Sequence, residues 1–164
     1  MTPKLRALVV VVVVVLPLDF LTKLWVSTSI LPHDPITIID GFFQITHARN
    51  PGMAFGLLQD VHVGFFIVLT LFALGLIAYF YRGVDPMDRL GAVSLGLILS
   101  GALGNLFDRV VRREVVDFLH FDLGLFEFPD FNVADSAIVI GVSLLLLEMV
   151  ASETEAAAEK EEES

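Results

Sequence analysis

The chain contains no cysteine. That excludes disulfides, thiolate metal sites, a cysteine nucleophile and lipidation on its own cysteines. No basic patch interleaved with aromatic residues occurs, so nothing points to nucleic acid. A His-Glu-x-x-His zinc motif is missing, and so is the Gly-x-Ser-x-Gly turn of a serine nucleophile. The four histidines, His33, His47, His62 and His120, lack metal-ligand spacing and read as interfacial polar residues. Neither a metal nor a cofactor is expected. No internal repeat is visible. No small-x-small cleavage site follows the valine run Val9–Val15, so that run reads as a retained span, not a removed secretory signal.

What the chain does have is apolar length. Of its 164 residues 55% are hydrophobic, and the mean hydropathy is +0.78. This exceeds the roughly 45–50% apolar content of globular domains. A helix that crosses a bilayer needs about 20 mostly apolar residues. Four windows qualify: Leu5–Thr28, Val61–Tyr81, Leu90–Phe107 and Val133–Val150. The expected fold is therefore an α-helical membrane protein with four transmembrane helices. A single domain should cover residues 1–150. Residues 151–164 carry six Glu and one Lys, half of the formal charge of −10. They are expected as a solvated acidic tail, disordered or a frayed helix.

An even number of spans puts both termini on one side. Lys4, Arg6, Arg82, Arg89 and Lys160 fall on that side, against Arg49, Arg109, Arg112 and Arg113 on the other, so charge counting alone does not orient the chain. The tight Arg82–Arg89 connection and the position of Lys4 and Arg6 beside the first span favour cytoplasmic termini. The two long connections, residues 29–60 and 108–132, then share the opposite face. In the first, Asp40-Gly41 lies between β-branched and aromatic runs over Ile36–Thr46, a hairpin signal. A small sheet near the membrane surface is expected there, with Val110–Phe118 as a further strand.

Several polar residues interrupt this apolar chain. Asp19 and Lys23 stand four apart on one helix face and can pair, which lowers the cost of placing either in the membrane. That pairing is compatible with a structural or a substrate-binding role. The block Asn50-Pro-Gly-Met-Ala-Phe-Gly56 suits a close backbone approach, to a ligand or to a neighbouring strand. Asn132 and Asp135 fit an N-cap and N3 arrangement at the start of the last span, which explains both without chemistry. Asp108 beside Arg109 reads as a local ion pair that ends the third span. Asp117 differs, because Val115-Val116 and Phe118-Leu119 flank it and its surroundings should be dry. A desolvated carboxyl tends to hold its proton, whereas a helix N-terminus favours an ionised Asp135. Such a pair can activate water with one carboxylate and protonate the leaving amine with the other.

Taken in order, Asp19-x-x-x-Lys23, Asn50-x-Gly-x-Ala-Phe-Gly56, Gly101-x-x-Gly-Asn105-x-x-Asp108-Arg109, Val115-Val-Asp117-Phe118 and Phe128-Pro-x-Phe-Asn132-x-Ala-Asp135 resemble the lipoprotein signal peptidases, the type II signal peptidases of bacteria. The resemblance runs from about residue 15 to 140. It implies an aspartic endopeptidase of the bacterial inner membrane, multi-pass and monomeric, with its active site and small β-sheet on the periplasmic side. It implies a substrate too, a prolipoprotein bearing diacylglycerol on a cysteine and cut just before it. The catalytic pair would be Asp117 and Asp135. Asp19, Lys23, Asn50, Gly52, Asn105, Asp108, Arg109 and Asn132 would bind substrate or support the site, with Arg109 reaching a substrate carbonyl. Membrane lipid would contact the protein, Arg112 or Arg113 meeting its phosphates, and globomycin would plug the site. Met53 and Ser100 depart from the family pattern, which has alanine and glycine there. A proton-coupled transporter or a non-enzymatic scaffold are the competing readings. Yet the acids cluster at span ends on one face instead of the bilayer midplane, where a transporter needs them.

Overall fold

The structure, a computed structural model, describes residues 1–52, 62–124 and 126–162, with backbone alone for residue 127 and residues 152–162. The part of the glycine-rich block from Met53 to Gly56 lies outside the described residues, as does the Met53 departure.

Among the described residues, four helices are long and apolar enough to cross a membrane: α1 (Pro3–Ser29), α2 (Val63–Gly83), α3 (Leu90–Val111) and α4 (Val133–Glu162). Their starts are set by local chemistry. Thr2 caps α1, its Oγ1 accepting from Leu5 N at 3.4 Å, and Pro3 fills the first turn, where a missing N–H costs nothing. His62 caps α2 by accepting from Gly64 N at 3.1 Å. The acidic segment after Val150 continues α4 as helix to Glu162. Its alanines and glutamates are good helix formers, and neither Gly nor Pro interrupts them.

α3 is the central helix. In its spanning segment 56% is buried, against 11%, 11% and 17% in α1, α2 and α4, which turn most of their side chains towards lipid. Its inward face is built from small residues, which let neighbouring backbones come close. A Cβ on Gly101 would collide with the Ala134 carbonyl oxygen of α4. One on Gly104 would sit 2.5 Å from Asp19 Oδ2 of α1. These two glycines set how closely α1 and α4 approach the polar end of α3. Ser100, the second departure, is fully buried and donates to Gly96 O of its own helix at 2.6 Å, so its hydroxyl needs no outside partner.

A four-stranded antiparallel sheet caps one end of the bundle. Its strands are β1 (Ile36–Ile39), β2 (Phe43–Asn50), β3 (Val115–Asp122) and β4 (Glu127–Phe131), in the order β1-β2-β3-β4. The expected hairpin is β1–β2, with Gly41 at φ 68° in its loop. The further strand begins later than expected. α3 runs past Phe107 to Val111, Arg112 caps it, and Arg113 turns the chain at φ 68° before β3 starts at Val115. β4 carries Pro129, which hides the strand in the sequence; as an edge strand it tolerates the missing donor. Val116 and Phe118 of β3 pack on Val26 and Ile30 of α1, with Ile45 of β2 against them. Side chains alternate along a strand, so seating these two on α1 turns Asp117 to the other face.

Candidate active site

Two carboxylates meet where β3 passes the first turn of α4. Asp117 is buried, with 3% exposure, and Asp135 is half-buried. Asn132 links them. As the cap of α4 it accepts from Asp135 N at 2.9 Å through Oδ1, and its own N donates to Asp135 Oδ2 at 3.3 Å. This reciprocal pair is the capping box expected from the sequence. The same asparagine also reaches outward, its Nδ2 donating to Asp117 Oδ1 at 2.6 Å. Capping and site geometry are one device here.

Two more asparagines complete the cradle. Asn50, the last residue of β2, donates from Nδ2 to Asp117 Oδ2 at 3.0 Å and accepts from Gly52 N at 3.0 Å. Asn105 of α3 donates to Asp135 Oδ1 at 2.7 Å. Burial pushes the Asp117 carboxyl up to about 7, and the nearby Asp135 charge adds to the rise. The hydrogen bonds from Asn50 and Asn132 and the charge of Lys23 oppose it. A carboxyl in this state can hold a proton near neutrality and give it up.

Behind the cradle lies a buried ion cluster. Lys23 Nζ stands 2.9 Å from Asp19 Oδ2 and 3.0 Å from Asp108 Oδ2, and donates to Asn105 Oδ1 at 3.0 Å. Asp19 Oδ1 accepts from Ala134 N in the first turn of α4 at 2.9 Å. Asp108 does not pair with its neighbour Arg109. Consecutive helical residues point in different directions, so Asp108 meets Lys23 and, one turn on, Arg112 at 3.0 Å. Arg112, one of the two arginines expected at lipid phosphate, thus pairs with a carboxylate of its own helix. Arg109 instead lies over the Phe66 ring, 5.3 Å from its centroid, and donates to Gly52 O at 3.4 Å.

A cleft of about 740 Å³ opens onto this cradle. Asn50, Gly52, Asn105, Arg109, Asp117 and Asp135 line its polar end. Side chains of α2, α3 and α4 such as Ala73, Ile98 and Ile138 line the rest, which is mostly apolar. Lys23, Asp19, Asp108 and Asn132 stand behind that lining. Among the described residues no group of three or more His, Asp or Glu is placed to hold a metal ion. His47 meets Ile30 O at 2.8 Å and His120 meets Asp130 at 2.7 Å. The sequence did not single out Thr46, Phe66 or Asp130, whose partners are distant in the chain.

A multi-pass membrane protein with a hard-to-ionise carboxyl beside a second one, at the mouth of an apolar cleft, fits the aspartic class of membrane endopeptidases. The comparisons narrow the class. The chain belongs to the signal peptidase II family, whose sequence model matches residues 11–151. A lipoprotein signal peptidase of Bacillus pumilus is 43% identical over 141 residues, 86% of this chain and 90% of that protein. One from Geobacter metallireducens is 44% identical over 155 residues, 93% and 96% of the two chains. A bacterial membrane enzyme solved by the in meso method at 2.3 Å superposes with a TM-score of 0.84 at 33% identity, covering 90% of each chain.

Proposed function

We propose that this chain removes the signal peptide from diacylglyceryl-modified prolipoproteins, cutting just before the lipidated cysteine, with Asp117 and Asp135 as its catalytic pair. The observation that carries the assignment is the shared cradle. Asn132 binds both carboxylates, and both line the same apolar cleft. Asp135, half-buried in the first turn of α4, is the base and takes a proton from water. The hydroxide adds to the scissile carbonyl carbon while Asp117 protonates the carbonyl oxygen. When the tetrahedral diol collapses, Asp135 passes its proton to the departing nitrogen and Asp117 recovers its own from the diol. Arg109, Asn50 and Gly52 face the substrate; Asn105, Asn132, Asp19, Lys23 and Asp108 hold the pair in place. The apolar cleft suits both a signal helix and acyl chains, and a globomycin-type inhibitor would fill it. The monomer works in the inner membrane with the sheet on the periplasmic side. The direct test is processing of a diacylglyceryl prolipoprotein by purified protein, with and without globomycin; an unprocessed substrate would overturn the reading.

Two expectations accompany it. A topology reporter fused near residue 120 should report the periplasm and one near residue 85 the cytoplasm; a cytoplasmic signal near 120 would put the pair on the wrong face. The second concerns pH. Because Asp117 must start protonated, the rate should fall as pH rises through about 7, and the apparent value belongs to the coupled pair. The same group links pH to stability. Its folded-state value lies above the ordinary 3.8, so the folded protein binds this proton more tightly than the unfolded chain. Stability should therefore fall as pH rises between those two values. Melting of detergent-solubilised protein at pH 5 and pH 8 checks this: Asp117→Asn should lose that part of the pH dependence.

A further inference from the structure

A second polar cluster borders the cleft on the side of β4. Asp130 Oδ1 lies 2.7 Å from His120 Nδ1 on β3, and Asp130 Oδ2 accepts from Thr46 Oγ1 on β2 at 2.6 Å. One carboxylate thereby ties three adjacent strands together. The order of the groups is not that of a hydroxyl–imidazole–carboxylate relay: the acid sits between hydroxyl and imidazole, so His120 is not bonded to Thr46 Oγ1. The cluster stands where the backbone ladder fails. Leu119 pairs with Phe131 and Phe121 with Phe128, with a register shift between them, and Pro129 has no N–H to donate. Side chains hold the strand where backbone bonds are missing. His120 and Asp130 are each 21% exposed, sheltered enough for a short charge-assisted bond to count.

The location gives this cluster a consequence. Asp130 lines the cleft, and the chain runs from it through Phe131 straight into Asn132, the cap of α4. Asn132 Nδ2 is the donor to Asp117 Oδ1. Where β4 ends therefore decides where that amide points. We propose that Thr46, His120 and Asp130 form a brace that fixes the end of β4, so that the Asn132 amide holds Asp117 in its working position. The three are positioning residues, and their role rests on the reading of Asp117 as catalytic.

The test uses the full-length purified protein and a diacylglyceryl prolipopeptide. Thr46→Val keeps the shape and removes one bond without adding a titrating group. It should lower kcat by about 10- to 100-fold, as misplacing a reacting group does, and leave KM within about twofold. The alkaline limb of the kcat profile should move to higher pH, because the Asn132 bond favours the ionised form of Asp117 and would now be weaker. Thr46→Ser should restore both, and His120→Ala should act in the same direction as Thr46→Val. Wild-type kcat in Thr46→Val and His120→Ala would overturn the proposal. A lower kcat or melting point with an unmoved alkaline limb would overturn it too, since a merely structural contact has that signature. Retained cleavage in Asp117→Asn would instead sink the catalytic reading, whatever the brace variants do.

Discussion

Asp117→Asn and Asp135→Asn should each lower the cleavage rate by about 10²–10⁴-fold, the range lost when a positioned acid or base is removed. The two substitutions fail for different reasons. An asparagine at 117 still accepts from Asn132, but its amide cannot protonate the scissile carbonyl oxygen. At 135 the amide cannot take a proton from water. It also weakens the cap of α4, where a carboxylate in the first turn contributes about 0.3–1 kcal/mol. Neither change should unfold the protein. β3 keeps its backbone pairing with β2 on one side and β4 on the other, and the Asn132 side chain still caps α4. Gel-shift processing assays on variants that run as monodisperse protein in detergent would check this. A near wild-type rate in either would remove that residue from the pair.

The parts of this architecture legible in the sequence are those set by local rules. Spans follow from hydropathy, so the spanning part of each helix could be placed within a few residues, whereas the run of α4 on to Glu162 lies beyond its apolar window. Asp40-Gly41 announced the β1–β2 hairpin because only a few residues tolerate a positive φ. Asp19 and Lys23 could be paired because i and i+4 share a helix face. What stayed hidden depends on contacts between distant segments. Nothing in the Gly101–Phe118 stretch shows that Asp108 will turn away from Arg109 to meet Lys23 of another helix. Pro129 masks β4, since its exemption as an edge strand is a property of the sheet. The brace of Thr46, His120 and Asp130 appears only once three strands lie side by side. The apolar flanks of Asp117 did carry information, because burial is the main cause of its raised pKa.

The buried ion cluster connects these two levels, and its removal should have the largest effect on stability. Lys23 is 1% exposed, Asp19 and Asp108 2% each. With Arg112 on the far side of Asp108, two cations balance two carboxylates. Lys23→Met keeps most of the volume but leaves Asp19 without its cation and Asp108 with only the half-sheltered Arg112. Breaking a buried pair in this way costs about 3–5 kcal/mol. The damage should also reach the site. Asp19 Oδ1 binds Ala134 N in the first turn of α4, and Lys23 holds Asn105, which in turn holds Asp135. Lys23→Met should therefore lower both the melting temperature and the cleavage rate. Lys23→Arg should not rescue it, because a planar fork cannot replace a point charge that three acceptors surround at 2.9–3.0 Å. Asp19→Asn in the Lys23→Met background removes the stranded charge and should recover part of the melting temperature. Its amide oxygen can still accept from Ala134 N, so some activity should return as well. If Lys23→Met melts like wild type, the cluster does not hold the fold together.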